Sequence, residues 1–260
     1  MNVYEETQLI LHKYKIQANK SLGQNFLVDD NVIDEIIRSS NIDKQDLIIE
    51  IGPGLGVLTN RLLQEANNII AVELDKRMVN ILQDRFIINI NGQAESKLEI
   101  INEDVLKINL NEIIAEKRKQ TEIKNVKIVA NLPYYISTPI IMKLLENRLD
   151  IDEIIVMVQK EVAERLTAKT GTRLAGAITY AVEYYSDATG IIKVSKESFV
   201  PSPKVESEVI KLKVRKDKKI QVKDEKLLFN IISKSFMQRR KTLSNVLINN
   251  NIMHSKEDVK

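Results

Sequence analysis

Apolar positions along the chain recur in two alternating rhythms. After a basic start read as flexible to about residue 25, Asp30 is placed to cap a helix whose Val32, Ile33, Ile36 and Ile37 share one face. Next, Asp46-Leu-Ile-Ile-Glu-Ile51 is a short apolar run that stops at Gly52-Pro-Gly-Leu-Gly56. That pattern predicts a buried strand entering a tight turn. A helix through Val57, Leu58, Leu62 and Leu63, a strand from Ile69 to Leu74 and a helix carrying Met78, Ile81, Leu82 and Arg85 follow. The alternation runs on through a strand Leu98–Ile101, a helix Leu110–Lys119 and a strand Val126–Ala130. Ser137 or Thr138 is expected to cap a helix with Pro139 at its first position, where a missing N–H costs nothing. Strand Ile154–Val158, helices Lys160–Ala168 and Ala177–Tyr185, and strands Ile191–Val194 and Glu208–Val214 complete the series.

Strands alternating with helices of this length predict an α/β fold, a doubly wound, mostly parallel, Rossmann-like sheet. The charged run Arg215-Lys-Asp-Lys-Lys219 marks the expected boundary. Residues 1–215 would form the sheet domain, and residues 216–260 a small basic piece with helices near Glu225–Met237 and Thr242–Asn249.

Composition changes this picture in two places. The 260 residues include no cysteine, which excludes disulfides and thiolate metal sites, and only His12 and His254, which makes a histidine metal site improbable. No apolar run reaches the roughly 18 residues of a membrane span and the N-terminus lacks a signal-peptide pattern, so a cytoplasmic location is expected. Charge is unevenly spread. Lys211 to Lys241 holds twelve Lys or Arg against three acids, a net +9 in a chain whose total is +3. Such a run fits a polyanionic partner, or simply a solvated lysine-rich surface.

In an open α/β sheet, ligands bind outside the carboxyl ends of the strands, and four such ends here carry polar or glycine residues. The first is Glu50-Ile-Gly-Pro-Gly-Leu-Gly56, whose glycines admit a ligand close to the backbone at a helix N-terminus. A dinucleotide fingerprint would need a third glycine at position 57, which is Val57. The G-x-G-x-G spacing instead is similar to that of S-adenosylmethionine-binding sheets. The second end places Glu73 where a carboxylate can accept both ribose hydroxyls, with Asp75 more suited to capping the next helix. At the third, Asp104 can accept the adenine amine of a cofactor, or cap the following helix.

The fourth end, Asn131-Leu-Pro-Tyr-Tyr135, resembles the [Asn/Asp/Ser]-Pro-Pro-aromatic turn of amino-methyltransferases, with Leu132 in place of the first proline. The exocyclic amine of adenine is a poor nucleophile because its lone pair is delocalised into the ring. An Asn131 side-chain oxygen and a carbonyl of Leu132 or Pro133 can accept its two hydrogens and localise that pair toward an electrophilic methyl. Tyr134 can supply a stacking face for an extruded base. Alone, Asn-x-Pro-Tyr would more often merely end a strand; on a sheet with three cofactor-type ends it points to catalysis.

Six blocks then occur in order: Lys20–Leu27 (KSLGQNFL), Glu50–Gly54 (EIGPG), Asn131–Pro139 (NLPYYISTP), Gln159–Arg165 (QKEVAER), Phe199–Ser207 (FVPSPKVES) and Gln238–Thr242 (QRRKT). From about Lys20 to Leu247 the chain resembles the KsgA-type small-subunit ribosomal RNA adenine dimethyltransferases. The resemblance implies a Rossmann-like methyltransferase sheet, S-adenosylmethionine as cofactor, and two methyl transfers to each of two adjacent adenines near the 3′ end of 16S rRNA. It further implies a monomer, no membrane partner, and small-subunit rRNA within a maturing subunit as substrate. By the same carry-over Asn25 and Leu27 close over the cofactor, Gly52 lines it, Glu73 holds the ribose, Asp104 takes the adenine, and Asn131 joins cofactor to target. Phe199 lies in the block the family places beside the flipped base, or else is a core aromatic before a proline turn. Two departures stand out: Ala175 where the family usually has tyrosine, and an end soon after Leu247 where relatives continue through a further helical segment. Three rivals share parts of the pattern. They are a large-subunit rRNA methyltransferase of the macrolide-resistance type, a non-catalytic ribosome assembly factor, and a nicotinamide oxidoreductase.

Overall fold

The computed structural model describes residues 1–19, 22–87, 97–147, 149–217, 220–238, 240–253 and 255. Lys20 and Ser21 of the first motif, Lys218, Lys219 and Arg239 of the basic run, and His254 lie outside the described residues.

The apolar run at 46–51 becomes strand β2 (Leu47–Ile51), and all five of its residues are buried. A strand covered on both faces reads as a continuous apolar stretch, which is why it is so plain in the sequence. Counting the short strand β1 (Phe26–Leu27) before it, the strands that follow are β3 (Asn68–Glu73), β4 (Leu98–Asn102), β5 (Val126–Asn131), β6 (Glu153–Gln159), β7 (Ser186–Val194), β8 (Phe199–Val200) and β9 (Ser207–Val214). The main sheet has the order β4-β3-β2-β5-β6-β9-β7. Its first five strands are parallel, with Ile49 opposite both Ile70 and Ile128; β9 pairs antiparallel with β6 and with β7. The chain winds outward from β2 to β4 and then returns to β5 on the other side of β2. The switch point therefore lies between the carboxyl ends of β2 and β5, where open α/β sheets hold their ligands.

Helices cover both faces. Ile48 of β2 packs with Val32, Ile33 and Ile36 of α2 (Asp30–Ser40) and with Leu58 and Leu62 of α3 (Val57–Glu65). On the other face Leu47, Ile49 and Ile51 pack with Ile114 of α5 (Leu110–Gln120), Ile140 and Leu144 of α6 (Ser137–Glu146) and Val182 of α8 (Ala177–Tyr185). The start read as flexible instead carries α1 (Val3–Lys13), capped by Asn2 and burying Val3, Thr7 and Ile10. Its Ile10 joins Phe26, Leu55 and the Met78 and Ile81 of α4 (Lys76–Phe86). The Glu6 carboxylate accepts a bond from Arg85, whose guanidinium also holds the Leu55 carbonyl.

Two caps differ from the sequence reading. Asp29, not Asp30, caps α2, accepting from the N–H groups of Asn31 and Val32; Asp30 instead accepts the Val3 N–H at 3.0 Å. Helix α6 starts at Ser137 with no side-chain cap. Pro139 therefore stands third in the helix, still among the first-turn positions whose N–H has no intrahelical acceptor. Strand β7 begins five residues earlier than its apolar stretch, at Ser186, with an irregularity between Gly190 and Ile192. As a partly exposed edge strand it needs no apolar run.

Helix α7 (Lys160–Leu166) follows β6, while α9 (Glu225–Met237) and α10 (Leu243–Asn249) follow β9. Phe229 of α9 stacks on Tyr185 and meets Tyr184 edge-on, and Phe236 meets Tyr180, so α9 runs antiparallel along α8. The basic run divides. Lys211 pairs with Glu153 at 2.8 Å, Arg215 with Asp187, and Lys216 with Asp152 at 2.9 Å, so these charges are spent on the sheet. Lys223, Lys226, Lys234, Arg240 and Lys241 have no acidic partner among the described residues. No helix of the described residues is long and apolar enough to cross a membrane.

Candidate functional site

A cleft open to solvent, with about 1100 Å³ of empty volume, lies at the switch point. Asn25, Leu27, Gly52, Glu73, Asp104, Asn131 and Tyr134, the site residues named from sequence, all line it. They come from five segments, and the parallel order of β4, β3, β2 and β5 brings four strand ends to one edge.

The glycine turn after β2 has the geometry its composition demands. Gly52, Gly54 and Gly56 take φ of 68°, 58° and 79°, a region L side chains rarely adopt. The turn is also wired to the next strand. Gly52 N–H donates to the Val72 carbonyl at 2.9 Å, and Gly54 N–H donates to Glu73 Oε2 at 3.1 Å. Glu73 Oε1 accepts the Asp75 N–H at 2.8 Å. A carboxylate offers about four acceptor sites, so Glu73 keeps capacity for further donors. Burial pushes its carboxyl above the ordinary value, against the pull of the Asp75 and Gly54 N–H groups.

Glu50, two residues before the turn, is the acid that sequence reading treated only as a neighbour. It is fully buried, receives the Thr59 hydroxyl at 2.6 Å, and is pushed up to about 8 by burial and by the charge of Glu73. The signal was an acid inside an apolar strand. Asp75 does cap α4, accepting the Arg77 N–H. It also accepts a 2.9 Å bond from the Gln24 side chain, which ties the segment before β1 to the cleft's rim. Asp104 uses one oxygen to accept the Leu106 N–H at 2.9 Å; its other oxygen accepts no hydrogen bond among the described residues.

At the end of β5, Asn131 Nδ2 donates to the Asn25 carbonyl at 3.3 Å. Its Oδ1 is thereby left as an acceptor. Leu132 N–H donates to the Met157 carbonyl at 3.2 Å, and Ile136 N–H occupies the Pro133 carbonyl at 3.2 Å. The Leu132 carbonyl accepts no hydrogen bond among the described residues. The half-buried Tyr134 hydroxyl lies 2.5 Å from Ser207 Oγ, and burial raises the phenol's pKa. Leu27 is buried in β1, which pairs with β8 so that Leu27 faces Phe199. Phe199 is 3% exposed and belongs to the core with Leu27, Val32 and Val209, the core-aromatic alternative. Ala175 is buried as well.

Comparison with known proteins agrees with this geometry. The sequence model described as "Ribosomal RNA adenine dimethylase" matches residues 15–259. The chain belongs to the ribosomal RNA adenine dimethylase family. Among curated members, Ribosomal RNA small subunit methyltransferase A of Alkaliphilus oremlandii is 44% identical over 243 residues, covering 94% of this chain and 82% of that protein. Its counterpart in Lachnoclostridium phytofermentans is 45% identical over 245 residues, with coverage of 94% and 82%. A dimethyladenosine transferase from Plasmodium falciparum superposes with a TM-score of 0.71 at 30% identity, over 87% of this chain and 76% of that one. The 23S rRNA methyltransferase ErmE, at 22% identity, shares the fold with a TM-score of 0.66 over 86% and 84% of the two chains. Family membership sets the nicotinamide reading aside.

Proposed function

We propose that this family member transfers methyl groups from S-adenosylmethionine to the exocyclic amines of two adjacent adenines near the 3′ end of small-subunit ribosomal RNA, twice on each, acting as a monomer on a maturing subunit. The observation that carries the reading is the end of β5. Asn131 is held by its amide nitrogen on the Asn25 carbonyl, so its oxygen is presented as an acceptor beside Gly52, Glu73 and Tyr134.

The cleft fits the cofactor by its donor set. Glu73 retains acceptor capacity for the two ribose hydroxyls, Asp104 has an oxygen unused among the described residues for the adenine amine, and two buried acids, Glu50 and Glu73, with no cationic partner among the described residues suit a ligand that brings positive charge. When bound, the cofactor supplies an electrophilic methyl on a cationic sulfur. Everything else is the chain's work. Asn131 Oδ1 and the Leu132 carbonyl take the two hydrogens of the target amine; the Pro133 carbonyl is already engaged by Ile136. Holding both hydrogens localises the nitrogen lone pair, and no strong base is required. The first transfer leaves the nitrogen positively charged and strongly acidic, so it gives up one proton to water in the open cleft; one hydrogen remains, and a single acceptor suffices to orient the second transfer. Tyr134 offers its ring to the extruded base. Positioning of this kind can lower a barrier by roughly 7–11 kcal/mol. Lys223, Lys226, Lys234, Arg240 and Lys241 on the C-terminal piece, which have no acidic partner among the described residues, would meet phosphates.

Methyl-labelled cofactor and undermodified small subunits test the reading. Four methyl groups per subunit, on two neighbouring adenines, are expected, with uptake falling steeply as salt rises. A folded enzyme that binds the cofactor and leaves small subunits unlabelled would overturn it.

A further inference from the structure

The turn after β5 carries the chemistry, yet a turn is an unpromising place to fix an aromatic ring. Two stitches hold it. Leu132 N–H donates to the Met157 carbonyl of the adjacent strand β6 at 3.2 Å. The second reaches over the end of β6 to the next strand: Tyr134 Oη lies 2.5 Å from Ser207 Oγ. Ser207 is the first residue of β9, opposite Gln159 of β6 on one side and Val194 of β7 on the other. Its backbone is therefore locked in the sheet from both sides. Its side chain is wholly buried, and the Tyr134 hydroxyl is its only hydrogen-bond partner among the described residues. A buried hydroxyl without a partner is costly, so a serine here has a physical reason only while the tyrosine ring stays in this one place.

We propose that Ser207 is a positioning residue for methyl transfer: it clamps the Tyr134 ring from its para oxygen and fixes the plane against which the target base stacks. The inference rests on the proposed role of Tyr134 as the stacking face. Without the clamp the ring keeps its apolar face but gains freedom about its Cα–Cβ and Cβ–Cγ bonds. A freer ring still accepts a base and holds it less often in line with the methyl group. The loss therefore falls on the transfer step, and cofactor binding is untouched. Tyr134→Phe and Ser207→Ala remove the same interaction from opposite ends. Their stabilities differ, because only Tyr134→Phe leaves an orphaned buried hydroxyl, whereas the half-buried tyrosine hydroxyl left by Ser207→Ala can turn to water.

The experiment is a double-mutant cycle of Ser207→Ala, Tyr134→Phe and the pair, with Tyr134→Ala alongside. Single-turnover methyl transfer, cofactor affinity and melting temperature are read for each. Each single variant is expected to slow transfer by roughly five- to tenfold at unchanged cofactor affinity, and the pair by no more than either alone. Tyr134→Phe should melt lower than the pair, which removes the orphan. Parental transfer by Ser207→Ala, or slowing factors that multiply in the pair, would overturn the clamp. If Tyr134→Ala loses activity while Tyr134→Phe and Ser207→Ala keep it, the stacking face stands and only the clamp falls. A Tyr134→Ala enzyme at the parental rate removes both.

Discussion

Strand β2 and its approach carry two buried acids, Asp46 at one end and Glu50 at the other, and the fold treats them oppositely. Asp46 is fully buried but fully compensated. Lys127 Nζ lies 2.7 Å away, Asn125 donates at 2.7 Å and the Asp43 N–H at 2.9 Å. Burial pushes its carboxyl up, and these donors outweigh burial and hold it below its ordinary value. Glu50 is as deeply buried, with one hydroxyl from Thr59 and the charge of Glu73 nearby, and it rises to about 8. The amino end of the sheet is finished as structure. The carboxyl end is left with two acids, Glu50 and Glu73, that no cation among the described residues satisfies, as expected where a ligand completes the site.

The largest expected effect tests the finished end. Lys127→Ala strands the buried Asp46 charge and should cost about 3–5 kcal/mol of stability, seen in urea unfolding, with cofactor binding intact wherever the protein remains folded. A loss under 1 kcal/mol would mean that Asp46 is not compensated as described. At the other end Asn131→Ala should leave the melting curve almost unmoved while slowing single-turnover transfer by roughly 10²–10³-fold, the scale for losing one group aimed at the reacting atoms. A folded variant near the parental rate would remove the amine-acceptor mechanism.

Acidity separates the two ends further. Below about 4.5 Glu50 is protonated folded or unfolded; between there and about 8 only the unfolded chain ionises, so stability falls as pH rises through that window. By pH 7 the effect is roughly 3 kcal/mol, and Glu50→Gln should flatten it. Asp46 acts in the opposite sense: its contribution is present above its ordinary 3.8 and is lost as pH falls below it. Unfolding profiles from pH 3 to 8 for parent and Glu50→Gln check both signs, and superimposable profiles would refute the contrast. The smallest effect is on ligand binding. Glu73→Ala removes a charged acceptor and should weaken S-adenosylmethionine by roughly 1.5–3 kcal/mol in calorimetry. Unchanged affinity in a folded variant would free Glu73 of the ribose.

Much of this site is legible in the sequence alone. The strand ends at 50–56, 73, 104 and 131–135 were readable because a parallel strand stops abruptly, and the polar residue at the stop has few reasons to be there. Elements marked by weak hydrophobic contrast were not. Helix α1 is faint in the sequence because its buried Val3, Thr7 and Ile10 make a narrow stripe among polar residues. The first half of β7, Ser-Asp-Ala-Thr-Gly190, is a half-exposed edge strand defined by its partner rather than by its own pattern.

The sequence by itself determined the alternation of strand and helix, the positive-φ glycine turn and the residue types at four strand ends, because those depend on local sterics and on periodicity. Only the tertiary structure decided how those residues meet. Charge counting saw one basic run, whereas Glu153, Asp187 and Asp152, distant in the chain, neutralise part of it. Phe199 could stack on a base or fill the core until β1 paired with β8 and buried it. Ser207 gained a role only when β9 was placed beside β6, 2.5 Å from a tyrosine 73 residues earlier. Such contacts are set by strand order and register, and hydrogen bonds across that span leave no period in the sequence to read.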